Sequence, residues 1–93
     1  MTEIDYVKIF KALSDEMRLK ILQEIAKHEE ICVCKLMEQF VIAQSKLSYH
    51  LKLLKNADLI SEYKEKNFVY YEINTTVFDE LIIWVNQFGG KKV

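Results

Sequence analysis

Apolar residues recur every three or four positions through most of this chain, and that spacing is typical of amphipathic α-helices. The helical stretches that it predicts are 3–13, 14–28, 31–40, 44–55 and 77–90. Residues 59–63 and 68–73 instead alternate and are rich in β-formers, so they predict a hairpin with its turn at 64–67. The predicted fold is mainly α with a small β-hairpin, in the order α-α-α-α-β-β-α.

Each predicted element has an inward-facing side. The expected core positions of the second to fourth helices and of the hairpin are Leu19, Leu22, Ile25, Ala26, Leu36, Met37, Phe40, Val41, Leu47, Leu51, Leu54, Val69, Tyr71 and Ile73. The side chains that suit N-caps are Thr2, Ser14 or Asp15, and Thr75 or Thr76. Gly89 suits the C′ position after the last helix.

The first and last predicted helices are very apolar for one small domain. The apolar positions of the first are Ile4, Val7, Ile9, Phe10 and Leu13. Apolar residues, including Trp84, cover more than half of the last helix. We therefore predict a homodimer with both terminal helices at its interface, because a domain of this size cannot bury both faces alone. The alternative is that Trp84 and its neighbours are only core.

The fourth helix has an unusual outer face. Its polar positions are Gln44, Ser45, Lys46, Ser48, Tyr49, His50, Lys52 and Lys55, and none of them is acidic. Such groups suit hydrogen bonds to base edges and phosphates. A short helix and a tight connection at 41–43 precede it, which is the helix-turn-helix arrangement of DNA-binding proteins. The alternative is an ordinary solvated surface helix.

The predicted hairpin follows that helix directly, as the wing does in winged helix-turn-helix proteins. Lys64, Lys66, Asn67 and Phe68 are expected at its exposed tip. A wing commonly contacts the phosphate backbone or the minor groove, and the two lysines suit that role. The alternative is a structural hairpin with a solvated tip.

Length and charge fit a single domain over residues 1–93. A net charge of −1 argues weakly against nucleic-acid binding, but four lysines face one acid between Lys35 and Lys55. The first residues lead straight into a charged amphipathic pattern, and no apolar run approaches a membrane span. Two cysteines one residue apart do not suit a secreted scaffold. We therefore expect a cytoplasmic protein without membrane contact.

Cys32-Val33-Cys34 places two thiols at the start of the third predicted helix. Residues two apart point to nearly opposite sides of a helix but to the same side of an extended segment, about 6.6 Å apart at the backbone. We therefore expect both sulfurs to hold one soft ion only if this turn is unwound, which would strain the neighbouring DNA-facing helix. The alternative is a pair of buried structural cysteines.

Four segments together resemble one known family. They are KALSDEMRLKIL (11–22), ICVCKL (31–36), QSKLSYHLKLL (44–54) and NADLISEYKEKNFVYYEI (56–73). In order and spacing they are similar to the ArsR/SmtB family of metal-sensing winged-helix repressors. The Ser-x-His-Leu-x-x-Leu of 48–54 is specific in combination with the ALSDE-type opening and the wing. The Cys-Val-Cys resembles the signature of the arsenic-responsive branch.

The resemblance implies a homodimeric repressor, not an enzyme, that binds double-stranded operator DNA without a cofactor and leaves it when an inducer binds. It implies Cys32 and Cys34 as the ligands for trivalent arsenic or antimony, of the arsenite or antimonite type. The DNA-contacting residues that the resemblance and the polar pattern suggest are Gln44, Ser45, Lys46, Ser48, Tyr49, His50 and Lys52 on the helix, and Lys64 and Lys66 on the wing.

Three positions depart from the family pattern. Met37 stands where some arsenic sensors have a third cysteine, so a small thiol, water or hydroxide would complete the site, or a two-thiol ligand such as a methylated arsenical would be preferred. Tyr49 replaces a common Arg, and Asp58 replaces a helix-ending Gly, a position that Asp tolerates. Residues 75–90 contain no His, which argues against the zinc or nickel site of other members.

Other functions remain open. The runner-up is a thiol-redox-responsive regulator with a Cys32–Cys34 disulfide, since a bridge over one residue would be easily reduced. A winged helix that binds protein instead of DNA would show weak, salt-insensitive association with duplex DNA. Catalysis has the least support, because the sequence offers no Gly-rich phosphate loop, no Ser/His/Asp set and no shielded pair of carboxylates.

Overall fold

A computed structural model describes residues 3–89 of the chain. In chain order the elements are α1 (Tyr6–Leu13), α2 (Glu16–Ala26), β1 (Ile31–Cys32), α3 (Val33–Gln39), α4 (Gln44–Asn56), β2 (Ile60–Glu65), β3 (Phe68–Ile73) and α5 (Thr75–Gly89). The strands form one antiparallel sheet in the order β1-β3-β2. The predicted winged helix-turn-helix is confirmed, with one strand added. None of the helices described is long and apolar enough to cross a membrane.

The added strand shortens the third predicted helix. Ile31 and Cys32 pair with Tyr71 and Tyr70 of β3, and α3 begins only at Val33. The prediction of a helix from residue 31 is therefore wrong for its first two residues. A two-residue strand has no periodicity to detect, and its backbone finds hydrogen-bond partners only because β3 folds beside it.

The wing is a hairpin with a two-residue turn. Lys66 and Asn67 connect β2 to β3, and Lys66 has a φ of 56°. Val69, Tyr71 and Ile73 pack toward the core, as their alternation predicted. The predicted tip residues Lys64, Lys66, Asn67 and Phe68 are all exposed. The hairpin therefore presents its lysines to solvent while β3 anchors it to the helices.

Asp or Asn side chains cap the starts of α2 and α5. Asp15, one of the two predicted caps of α2, accepts a hydrogen bond from the backbone N–H of Arg18 at 3.0 Å. Asn74 accepts one from the backbone N–H of Val77 at 3.4 Å, so the expectation of a cap at Thr75 or Thr76 is wrong. α5 begins at Thr75, two residues before its apolar pattern begins at Val77. The expected C′ role of Gly89 is also wrong, because this residue belongs to α5.

The end of α4 forms a Schellman motif with Asp58 at its left-handed position. Asp58 has a φ of 60°. Its N–H donates to the Lys55 carbonyl at 2.9 Å, and the N–H of Leu59 donates to the Leu54 carbonyl at 3.1 Å. These two bonds satisfy carbonyls that the helix would leave free. The motif also turns the chain so that the buried Leu59 leads directly into the wing.

The core lies between the helices and the inner face of the sheet. Its buried side chains are Ile9, Ala12, Ile21, Leu22, Ile25, Ile31, Leu36, Leu47, Leu51, Leu54, Ala57, Leu59, Ile60, Tyr71 and Leu81. The predictions for Leu19, Ala26, Met37 and Val41 are wrong, since all four are exposed. The inner stripe of α2 is centred on Ile21, and Val41 precedes α4, where helical spacing does not apply.

Helices α1 and α5 meet through an aromatic cluster. The Trp84 ring stacks on Tyr6 with centroids 4.5 Å apart, and Phe10 and Phe88 lie against the same ring at 5.7 and 5.1 Å.

α1 begins directly after its N-cap residue Asp5, while the predicted cap Thr2 lies outside the described residues. Large apolar side chains remain exposed along these two helices: Val7, Phe10, Ile82, Ile83, Val85 and Phe88. We call these six side chains the terminal-helix face.

Candidate nucleic-acid interface and dithiol site

The outer face of α4 is a continuous polar surface. Its exposed residues are Gln44, Ser45, Lys46, Ser48, Tyr49, Lys52 and Lys55. Leu47, Leu51 and Leu54 lie in the core and fix which side faces solvent. Ala43 occupies the N-cap position and has no side-chain oxygen, so the first backbone N–H groups of α4 point outward without a side-chain cap. The surface therefore offers hydrogen-bond donors and positive charge, both of which suit phosphates.

His50 does not belong to this surface. The expectation that it lies on the outer face is wrong, because it is 7% exposed. Its Nδ1 lies 3.2 Å from Nη1 of Arg18 on α2 and 3.9 Å from Oδ2 of Asp15. The backbone N–H of Arg18, aided by its guanidinium, holds the pKa of Asp15 below the ordinary value of 3.8. His50 thus joins α4 to α2 instead of facing solvent.

The wing is tied to the end of α4 through Glu62 of β2. Lys55 Nζ donates to Glu62 Oε1 at 2.9 Å, and the Tyr71 hydroxyl donates to Oε2 at 2.6 Å. The hydrogen bond from the Tyr71 hydroxyl is the main cause that lowers the pKa of Glu62, and the hydrogen bond from Lys55 is the next. Burial is the main cause that raises the pKa of Tyr71, and its hydrogen bond to Glu62 is the next. This cluster sets the position of the wing against α4 and leaves Lys64 and Lys66 exposed at its far end.

The two cysteines lie side by side where β1 becomes α3. Cys32 is extended, with φ −68° and ψ 140°, and its sulfur accepts a hydrogen bond from the Cys34 backbone N–H at 3.2 Å. The structure joins their sulfurs in a disulfide with the Cα atoms 5.2 Å apart. The extended conformation that we expected the two sulfurs to need is present at Cys32, but it belongs to β1 and requires no unwinding of a helical turn. Cys32 already lies outside α3, so both sulfurs come together while the helix stays intact.

A cavity of about 440 Å³ opens beside the two sulfurs. Its wall is formed by residues from the α2–β1 connection, from β1, from α3 and from β3 of the wing: His28, Glu30, Ile31, Cys32, Cys34, Lys35, Gln39, Phe68 and Tyr70. Cys34 is exposed to it, whereas Cys32 is buried. Among residues 3–89, no three His, Cys, Asp or Glu side chains are grouped to hold a metal ion. Within the described residues, no third side chain of these types is therefore grouped with the two sulfurs.

His28 also lines this cavity, but its ring contacts a carboxylate of α2. Its Nε2 lies 3.3 Å from Glu24 Oε2 within the same turn of chain. The hydrogen bond to the His28 ring is the main cause that holds the pKa of Glu24 below its ordinary value of 4.5, and Lys27 lowers it further. His28 is therefore a polar residue just after α2 that pairs with Glu24 of that helix.

Comparison with known proteins agrees with this architecture, which is that of a winged helix-turn-helix regulator. Residues 15–62 match the family described as "Bacterial regulatory protein, arsR family". The chain is 46% identical over 69 residues to the arsenical resistance operon repressor of Bacillus subtilis, covering 74% of this chain and 66% of that protein. It is 39% identical over 83 residues to the transcriptional repressor SdpR of the same organism, covering 89% and 91%.

A solved structure of a related regulator has the same fold. Reduced HlyU from Vibrio cholerae superposes with a TM-score of 0.71 at 29% identity, covering 92% of this chain and 90% of that one. The chain belongs to the ArsR family of bacterial regulatory proteins. That family consists of DNA-binding transcriptional regulators, not enzymes.

Proposed function

We propose that this chain is a cytoplasmic, homodimeric repressor that leaves its operator when a thiophilic metalloid of the arsenite or antimonite type binds Cys32 and Cys34. The observation that carries the proposal is the pairing of the two sulfurs at the edge of a cavity beside the wing. Thiolates select soft ions, and both cysteines line the cavity. The 46% identity to an arsenical resistance operon repressor supports the same ligand class.

The proposed DNA surface consists of α4 and the wing. Its residues are Gln44, Ser45, Lys46, Ser48, Tyr49, Lys52, Lys64 and Lys66, all of them exposed. The uncapped N–H groups at the start of α4 suit a phosphate, and the polar side chains farther along suit base edges. His50 is assigned a supporting role in holding α4, because it is buried against Arg18.

The proposed dimer buries the terminal-helix face. This face contains six exposed apolar side chains beside the Trp84 cluster, including Ile83 at 68% exposure and Phe88 at 71%. Several exposed large apolar side chains on two neighbouring helices are typical of a subunit interface. A two-fold axis would also place two copies of α4 so that they could read two half-sites.

The proposed route from ligand to DNA runs through the sheet. Cys32 pairs with Tyr70 on β3, and the next residue, Tyr71, bonds to Glu62, which binds Lys55 at the end of α4. A ligand that moves β1 therefore acts on the wing and on α4 together. Because the coupling is reciprocal, operator DNA should weaken ligand binding by the same factor.

The decisive experiment compares the native chain with a Cys32→Ser, Cys34→Ser double variant in an operator-binding assay under reducing conditions. Arsenite should release the native protein and leave the double variant bound. Equal release from both would remove the cysteines from the mechanism. The double variant in the absence of arsenite controls for any direct effect of the substitutions on DNA affinity.

A thiol-redox switch is the second candidate. It is favoured by the Cys32–Cys34 disulfide and by the likeness to a structure described as reduced HlyU. In this mechanism a mild oxidant, not arsenite, would change DNA affinity. If stoichiometric arsenite leaves the affinity unchanged while the oxidant abolishes it, the redox mechanism replaces the metalloid mechanism.

A further inference from the structure

Tyr49 presents a large ring on the outer face of α4, where the other exposed side chains are serines, amides and lysines. Its side chain is 56% exposed. The neighbours on the same face, three or four positions away along the helix, are Ser45, Lys46 and Lys52, and all three are exposed. The ring therefore lies between two positive charges, on a helix whose sequence contains no acidic residue.

The position of this ring is restricted from behind. The Tyr49 ring lies against the ring of His50, with centroids 5.6 Å apart and planes tilted by 59°. His50 is itself buried, and its Nδ1 lies 3.2 Å from Nη1 of Arg18 on α2. Arg18 therefore holds His50, and His50 limits where the Tyr49 ring can lie. A ring that is already restricted loses little conformational freedom when it binds, so its contact is more selective.

Resting on the proposed function, we infer that Tyr49 reads the 5-methyl group of a thymine in the major groove of the operator. A recognition helix contacts base edges through its N-terminal half, and Tyr49 lies in the second turn of α4. The thymine methyl is the apolar group among the base edges of that groove, and apolar side chains recognise it by contact. Lys46 and Lys52 on either side suit the flanking phosphates.

The side-chain chemistry excludes the guanine contact that an Arg makes at such a position. A guanidinium donates two parallel hydrogen bonds to O6 and N7 of guanine. The phenol of Tyr49 has a single O–H donor and cannot form that pair. Its larger contribution is the apolar ring, which gains free energy by covering another apolar group. The residue at position 49 therefore shifts the preferred base from guanine to thymine.

The test begins with duplexes that the native protein selects from a randomised library at one salt concentration. The selected duplex is then remade with uracil in place of thymine, one position at a time. Uracil keeps the base pair and the O4 acceptor and lacks only the methyl group. At one position per half-site the affinity should fall about fourfold, the value of one methyl-sized apolar group removed from a contact. If uracil is tolerated without loss at every position, the inference is overturned.

Variants assign the methyl contact to Tyr49. Tyr49→Phe keeps the ring and should keep the roughly fourfold preference for thymine over uracil, whereas Tyr49→Ala should abolish it. Lys52→Ala, on the same helix, is the matched control: it should weaken binding to both duplexes equally and leave the preference unchanged. A preference that survives in Tyr49→Ala, or that disappears in Tyr49→Phe, would overturn the inference.

Failure of the proposed function has a different signature. If the native protein enriches no sequence from the library and its association with duplex DNA is insensitive to salt, the proposed repressor function fails. Selective, salt-dependent binding without any thymine-to-uracil effect leaves that function standing and removes only the role inferred for Tyr49.

Discussion

Arg18 Nη1 lies 3.2 Å from His50 Nδ1, so a residue of α2 holds the middle of α4. Because a guanidinium group can only donate, Nδ1 of His50 is the acceptor in this pair. The same guanidinium donates from Nε to the Ala12 carbonyl at 2.6 Å and from Nη2 to the Lys11 carbonyl at 3.3 Å. One side chain thus joins the end of α1, the start of α2 and the centre of α4.

We expect His50→Leu to lower the free energy of unfolding by about 1–3 kcal/mol, because Arg18 would lose its acceptor in a partly buried site. His50→Asn places an oxygen near the former Nδ1 and should retain most of the stability. Urea unfolding of both variants measures the difference. Lys20→Ala, on the exposed side of α2, is the control and should stay within about 0.5 kcal/mol of the native protein. Equal losses in the Leu and Asn variants would contradict the hydrogen bond.

The Glu62 cluster makes the stability of the wing depend on pH. The Tyr71 hydroxyl and then Lys55 hold the folded-state pKa of Glu62 below 4.5. A carboxyl group with a lower pKa in the folded state stabilises the fold above its unfolded pKa, and this stability is lost as pH falls through the folded pKa. Between neutral pH and about pH 3, the native protein should therefore lose more unfolding free energy than Glu62→Gln. Parallel pH curves in urea titrations would show that the cluster has no such effect.

Hydrophobic periodicity was sufficient to predict that the helices and the wing exist, because the apolar spacing of α4 and the alternation of β3 follow from local geometry. It failed for His50, whose polar ring occupies an inward position. The group that satisfies it, Arg18, lies 32 positions earlier, and no local pattern connects the two. Arg18 within a helix and His50 beside the inward-facing Leu51 were the available signals. Neither signal identifies the partner.

The helical conformation predicted at Cys32 was wrong for a related reason. Helical geometry correctly keeps residues two apart from facing each other, but Cys32 is outside the helix. Its extended conformation depends on pairing with Tyr70, 38 residues later in the register of β1 and β3. The chemistry of two neighbouring thiols could be read from the sequence, whereas the strand that brings them together depends on tertiary structure.

Asp58 is expected to limit the stability of the fold. It occupies the left-handed C′ position of α4 with a φ of 60°, where a side chain is disfavoured. Asp58→Gly should therefore raise the free energy of unfolding by about 0.5–1 kcal/mol. Asn56→Gly, two residues earlier inside α4, is the matched control and should lower it by a similar amount. A loss of stability in both urea titrations would mean that Asp58 makes a contact that offsets its backbone strain.

Lys46 and Lys52 test the proposed DNA surface. Both lysines are exposed on α4, and each should neutralise a phosphate. Replacing either with Ala should weaken binding to all duplex sequences and reduce the slope of log affinity against log salt by about 1. Lys20→Ala on α2 is the control, because its partner is Glu16 at 3.3 Å. Salt-insensitive binding by the native protein would favour a protein partner over DNA.

Ile83 tests the proposed dimer. Its side chain is 68% exposed in the single chain, so a charged replacement there costs the monomer little. In a dimer formed through the terminal-helix face, Ile83→Asp would bury an unpaired charge and should shift sedimentation equilibrium toward the monomer. Leu19→Asp, at an exposed apolar position on α2 outside this face, is the matched control and should leave the mass unchanged. Operator affinity should fall only in the Ile83 variant, because a monomer contacts one half-site. If Ile83→Asp sediments as the native protein does, the dimer, where one forms, uses another surface.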